Sequence, residues 1–226
     1  MSQSKHTFQT ARLQFSPLVT SDAPALYNDL RTAPEVMKWS RQGHIDYNVN
    51  DTISWISKLR EGTNVSPSSP ETEEKEAGSK LVGTVFSIRE LDYLHQQQQG
   101  AEAGETKEDK VIGTIGVRLT ESELAEGEQF EIGYMFVPSS WGKGYATEAV
   151  RGFVPWWFDF SANFLKDHDG ETGSEGVDKD GIYAVVAKEN VPSLRVMEKC
   201  GFRVHAQGQD EDGTGIVEYC IARSNV

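Results

Sequence analysis

Cysteine is scarce: Cys200 and Cys220 are the only two in 226 residues, and neither sits in a CxxC pair. That excludes a disulfide-stapled scaffold and a cysteine-ligated zinc site. The five histidines are scattered without metal-like spacing, so no metal is expected. No apolar run approaches the roughly 20 residues needed to cross a bilayer. The polar start MSQSKHTFQT also lacks the apolar stretch of a secretory signal. A cytoplasmic protein with no membrane partner is expected. Basic residues are outnumbered, 22 Lys and Arg against 35 Asp and Glu, for a formal net charge of −13. That balance argues against a nucleic-acid partner.

The acid is unevenly placed. Five stretches that read as loops (61–80, 92–110, 121–128, 166–181 and 209–213) hold 23 acidic and 6 basic residues, which leaves the rest of the chain at +4. The structured frame is therefore mildly basic and suits an anionic ligand. The acidic loops serve solubility or weakly steer a cationic substrate. At this length one domain with insertions is expected rather than two domains. It would span 1–226, with flexible acidic insertions near 61–80, 92–110 and 166–181.

β-branching and alternation predict strands over RLQFSPLV, LVGTVFSI, VIGTIGVRL, QFEIGYMFV, IYAVVA, FRVHAQ and GIVEYCIAR. Helical spacing predicts helices over APALYNDLR, capped by Ser21 or Asp22, and over TISWISKLR, capped by Asn50 or Asp51. A longer helix is expected from Tyr145, kinked or ended at Pro155, with Trp156, Trp157, Phe158 and Phe160 in the core. NVPSLRVMEKCGF opens with a capping Asn190, tolerates Pro192 in its first turn and stops at Gly201. The order β-α-α-β-β-β-α-β-α-β-β implies an α+β fold with a largely antiparallel sheet.

The stretch SSWGKGYATEAV is the chemical signal. Two glycines around a lysine, followed by a helix start, can present backbone N–H groups to an anion. A nucleotide-triphosphate loop needs Ser or Thr after the lysine for magnesium, and Gly144 is there instead. A dinucleotide fingerprint needs a third small residue where Thr147 stands, and a βαβ setting that the antiparallel lead-in does not supply.

The chain resembles the GCN5-related N-acetyltransferase (GNAT) superfamily, whose acetyl-CoA loop reads [RQ]xxGx[GA] between a strand and a helix. Here the pattern falls on Trp141, Gly142, Lys143, Gly144, Tyr145 and Ala146. Gly144 and Ala146 match, and Trp141 replaces the usual Arg or Gln. With EIGYMFVP before it and NVPSLRVMEKCGF after it, the loop looks like the ribosomal-protein-alanine N-acetyltransferase-like branch. The resemblance runs from about Arg12 to Arg223. It implies a GNAT-type mixed sheet flanked by helices and splayed around the acetyl-CoA site. The N–H groups from Gly142 to Thr147 would hold the pyrophosphate, with Lys143 reaching a phosphate or water. The backbone of Met135, Phe136 and Val137 would pair with the pantetheine arm, one N–H polarising the thioester carbonyl.

The attacking amine must be neutral. An α-amino group with pKa near 8 is about a tenth neutral at pH 7, against roughly one part in a few thousand for lysine. Glu131 is the candidate base, acting directly or through water. The helix tyrosine of many relatives is replaced by Met197, which leaves Ser193 as the hydroxyl near the expected thiol. Asn190 caps its helix or also bonds the pantetheine. Cys200 is expected on the apolar face of that helix, with a structural role.

The implied activity is acetyl transfer to a primary amine, either a protein or peptide N-terminus or a small molecule. Trp39, Trp55 and Tyr134 are aromatic candidates for the acceptor site, in a monomer or homodimer. A non-catalytic acyl-CoA-binding protein is the alternative from another class.

Overall fold

The computed structural model describes residues 6–61, 63–64, 82–91, 110–167 and 177–226. The insertions expected near 61–80, 92–110 and 166–181 fall largely outside them. Eight strands form one sheet: β1 (Phe8–Gln9), β2 (Leu13–Pro17), β3 (Gly83–Glu90), β4 (Val111–Glu121), β5 (Glu128–Phe136), β6 (Gly181–Ala187), β7 (Arg203–Gln209) and β8 (Gly215–Ala222). Their spatial order is β1-β2-β3-β4-β5-β6-β8-β7. Every neighbouring pair is antiparallel except β5 and β6. Those two touch through a single parallel pair, Glu131 with Tyr183, and then part.

Helices cover both faces. On one lie α1 (Ala23–Leu26), continued by a wide π turn over Tyr27–Arg31, then α2 (Pro34–Met37) and α3 (Val49–Glu61). Arg89 of β3 anchors this layer by donating to Asp22 at 2.5 Å. Within the layer, Arg31 donates to both carboxylate oxygens of Asp46 at 2.9 and 2.8 Å, each residue almost fully buried. On the other face lie α4 (Tyr145–Asp167) and α5 (Val191–Lys199). Trp157 of α4 meets Phe130 at 5.2 Å, and Trp156 meets Phe86 at 4.9 Å. The four aromatics expected in the core are there: Trp157 and Phe158 are buried, and Trp156 and Phe160 pack against them.

Two expectations are corrected and one strand is added. First, α4 does not end at Pro155: the helix has 23 residues and contains the proline. Pro155 is exposed while Phe153, Val154, Trp157 and Phe158 are buried, so its ring and the unpaired turn sit on the solvent side and core packing carries the helix past it. Second, α3 starts before its expected caps. Asn48 accepts from the Asn50 N–H at 2.9 Å, while Asp51 accepts from the N–H groups of Tyr47 and Asn48 at 2.9 and 3.1 Å. Third, β1 was not visible in the sequence. Two residues pair with β2, fixed by Phe8 stacked on Phe15 at 4.4 Å and on Trp156 at 5.1 Å.

Asn190 caps α5 as expected, its side chain accepting from the Ser193 N–H at 3.4 Å. Asn190→Ala should lower stability by about 1 kcal/mol, which thermal denaturation would show as a fall of about 2–4 °C.

Candidate active site

The parting of β5 and β6 builds the site. Val137 donates its N–H to Ile112 at 3.0 Å, and the register sets Gly113 opposite Phe136 and Thr114 opposite Met135. Bonded pairs alternate along an antiparallel ladder, so Met135 and Val137 bond back to β4, and Tyr134 and Phe136 present their backbone to the gap facing β6. Of the trio expected to pair with the pantetheine arm, Met135 and Val137 are committed to β4, so only Phe136 faces the opening, where Tyr134 joins it. The Phe136 carbonyl accepts from the Trp141 indole N–H at 2.8 Å. Trp141 therefore pins the glycine loop to the end of β5 while its ring remains exposed.

The loop has the backbone form its glycines permit. Gly142 and Gly144 have φ of 75° and 80°, a region costly for any residue with a Cβ. α4 begins directly afterwards, so its first N–H groups and positive dipole end face the same space. Next to it is a cavity of about 590 Å³ whose lining includes Arg12, Arg151 and Lys199 and one carboxylate, Glu148, together with Thr10 and Thr147.

Arg12 was missed in the sequence because it stands 132 residues before Gly144. It donates to the Lys143 carbonyl at 3.1 Å and to Glu148 at 2.7 Å, and covers the Tyr145 ring at 4.6 Å. Burial pushes the Glu148 carboxyl up, but the Thr10 hydroxyl and the Arg12 N–H and guanidinium outweigh it and hold Glu148 below the usual range. Lys143 extends its ammonium to 5.8 Å from the Tyr145 ring, and Ala146 packs against the core edge. These donors, the glycine cradle and the open strand edge fit an elongated anion with amide groups.

Glu131 lies on the sheet face under the early helices, at the point where the strands part. Arg41, on the turn after α2, donates to it at 2.8 Å and reaches Glu123 at 3.3 Å; Thr120 donates at 3.3 Å. Burial raises the Glu131 carboxyl above its ordinary range, and Arg41 and Thr120 pull against that shift without cancelling it. Arg41 was also missed, since nothing in its own segment marks it.

Tyr134 points the other way, into the layer of α4 and α5 with Ser193. Trp39 is exposed beneath the Lys38 ammonium at 4.5 Å, whereas Trp55 is half-buried against Arg31 at 4.4 Å. Thus the structure groups Glu131 with Arg41 on one face, and Tyr134 with Ser193 on the other. Among the described residues no cluster of His, Cys, Asp or Glu could hold a metal ion, and no helix is long and apolar enough to cross a membrane.

Comparison with known proteins agrees with this geometry. The N-acetyltransferase p20 of Bacillus licheniformis is 30% identical over 95 residues, which cover 42% of this chain and 43% of that protein. The chain thus matches less than half the length of that relative. The ribosomal-protein-S5-alanine acetyltransferase of Vibrio fischeri superposes with a TM-score of 0.60 at 16% identity, covering 97% of both chains. The spermidine N-acetyltransferase of Vibrio cholerae, solved with CoA and spermine, superposes with a TM-score of 0.55 at 15% identity, covering 96% of this chain and 98% of that one. The family model described as an acetyltransferase (GNAT) domain matches residues 12–203, from the arginine at the loop to the start of β7, and the chain belongs to the GNAT acetyltransferase family.

Proposed function

We propose that this protein is an acetyl-CoA-dependent N-acetyltransferase that acetylates a primary amine by direct attack. The observation that carries this reading is the unpaired β5 edge leading straight into the glycine loop. Such an edge takes an extended, amide-bearing arm, and the loop takes the phosphates at its end. Coenzyme A supplies both, with an acetyl thioester as the reactive group. The N–H groups from Gly142 to Thr147 hold the pyrophosphate, with Arg12, Arg151 and Lys199 supplying countercharge. The Phe136 N–H is aimed into the gap, where it stabilises negative charge on the thioester oxygen. Glu131 takes the amine proton, directly or through water, once Arg41 has moved aside.

The favoured acceptor is a protein or peptide N-terminal amine, in keeping with the ribosomal-protein neighbour. A small-molecule polyamine is the second reading, favoured by the two carboxylates, Glu123 and Glu131, that Arg41 bridges. Thiol release from acetyl-CoA over a panel of peptides, spermidine and simple amines tests both. Release with Ala- or Ser-initiated peptides supports the first acceptor and release with spermidine the second. Tight acetyl-CoA binding with no release above hydrolysis on any amine would leave only a binding protein.

A further inference from the structure

We propose that Glu148 is a positioning residue for the donor: it holds Arg12 in place and so strengthens the binding of an anion that its own charge repels. The inference rests on the acetyltransferase reading above. By charge alone Glu148 is misplaced. It lies in the first turn of α4 and lines the same cavity as Arg12, Arg151 and Lys199. A carboxylate there stands against the phosphates that the cavity is to receive.

Its contacts show what the charge is for. One carboxylate oxygen accepts from the Thr10 hydroxyl at 2.7 Å and from the Arg12 N–H at 2.8 Å, and the other accepts from the Arg12 Nε at 2.7 Å. All three donors sit in the turn between β1 and β2. That turn reaches the helix because residue 152 is glycine: a Cβ there would stand 2.3 Å from the Thr10 Cγ2. With Nε committed to Glu148, the guanidinium lies over the Tyr145 ring at 4.6 Å and its Nη1 donates to the Lys143 carbonyl at 3.1 Å. Nη2 then stands beside Gly144, 3.6 Å from where a Cβ on that residue would be.

Arg12 is an exposed residue, and a long side chain on a surface samples many rotamers. Fixing such a chain when a ligand arrives weakens binding. Glu148 fixes it beforehand, with its fork turned to the glycine loop, and a fork in the right plane is what lets an arginine grip a phosphate. The repulsion is small in return. Glu148 and Arg12 form a pair with no net charge, so Arg151 and Lys199 leave the cavity with a surplus of two positive charges. Arg151 is held as well, donating to the Lys199 carbonyl at 2.6 Å. The phosphate site is thus set before its ligand comes, and the one carboxylate in its wall is part of the setting.

The test is a double-mutant cycle on Glu148→Gln and Arg12→Gln, read by calorimetric binding of coenzyme A. Glutamine keeps an oxygen to accept from Thr10 and from the Arg12 N–H, so the turn stays docked while the charge that orients the guanidinium is gone. Glu148→Gln alone should weaken coenzyme A about fivefold, as expected for ordering one long side chain on binding, although a negative charge has left an anion site. Arg12→Gln should weaken it at least about tenfold. In the Arg12→Gln background the sign should reverse: Glu148→Gln should then leave affinity equal or raise it by up to about threefold, because only the repulsion remains. In turnover, Glu148→Gln should raise the KM for acetyl-CoA about fivefold with kcat changed less than about twofold. Unchanged or tighter binding in Glu148→Gln alone would overturn the proposal. So would a weakening that persists without Arg12, which would make Glu148 a structural residue of α4. If the unmodified protein binds coenzyme A but releases no thiol with any amine, the acetyltransferase reading fails, and the cycle still decides the role of Glu148. No binding at all by the unmodified protein would remove both.

Discussion

Gly144→Glu is expected to abolish coenzyme A binding, with a loss of at least about 100-fold by calorimetry, while the protein remains folded. Two effects act together. A residue with a Cβ at φ of 80° costs about 1–2 kcal/mol or forces the loop out of shape. A carboxylate in the cradle also opposes the phosphates and recruits Arg12, whose Nη2 would lie 3.6 Å from the new Cβ. Gly144→Ala separates the two: it keeps the backbone strain, adds no charge, and meets no backbone atom within 4 Å. It should lose about tenfold, since 1.4 kcal/mol is a factor of ten. Unchanged affinity in Gly144→Glu would refute the loop as the coenzyme A site.

Glu131→Gln should lower kcat by about 10²–10³-fold, within the range for loss of a general base. The loss should be larger for an alkylamine or polyamine than for a peptide N-terminus, because at pH 7 far less of the alkylamine is already neutral. The pH profile fixes the assignment. A base works only when deprotonated, so activity falls as pH drops through the Glu131 pKa. Burial places that limb above the ordinary carboxylate range. Arg41→Gln removes a cation that lowers this pKa, so its acidic limb should move to higher pH. The other groups at this position, Arg118 opposite on β4, Thr120, Glu123 and Tyr183 on β6, are unchanged in that variant. An unmoved limb would show that Arg41 does not govern Glu131.

Stability should run in the opposite sense. A carboxyl whose folded pKa lies above its unfolded one favours the folded state at low pH, and that contribution disappears as pH rises through the folded value. At neutral pH Glu131 is therefore a cost to the fold, and Glu131→Gln should melt no lower than the parent protein. Lower activity at equal or higher stability is the signature of a residue kept for its chemistry.

The sequence yielded those parts of the molecule that local forces decide. β-branched runs gave β3 to β6, the Asn190 cap gave α5, and the glycines gave the loop. What it hid depends on long-range contacts. β1 exists only because Phe8 finds Phe15 and Trp156, and α4 survives Pro155 only because the core holds its other face. Arg12 reaches the loop from the opposite end of the chain. The facing of β5 was half visible: alternation sets Glu131 on one face with Met135 and Val137, but which backbone groups faced the gap depended on the register with β4, and Tyr134, expected at the acceptor site, turns to the other face. Arg41 becomes notable only once a short turn is seen to lie over a strand that starts 87 residues later.

The single pair joining β5 to β6 makes the central sheet two half-sheets with a shared root. An unpaired strand edge on a protein's outside is a template for aggregation and has to be defended. Here the edge lies in the middle of the sheet, between β5 and β6, with the α1–α3 layer on one face and the α4–α5 layer on the other. A ligand thin enough to slide between the layers, with amides spaced to mimic a backbone, is suited to complete the sheet. Binding the acetyl donor would then be the last step of folding, and the Phe136 amide should exchange its proton with solvent markedly more slowly once the donor is in place.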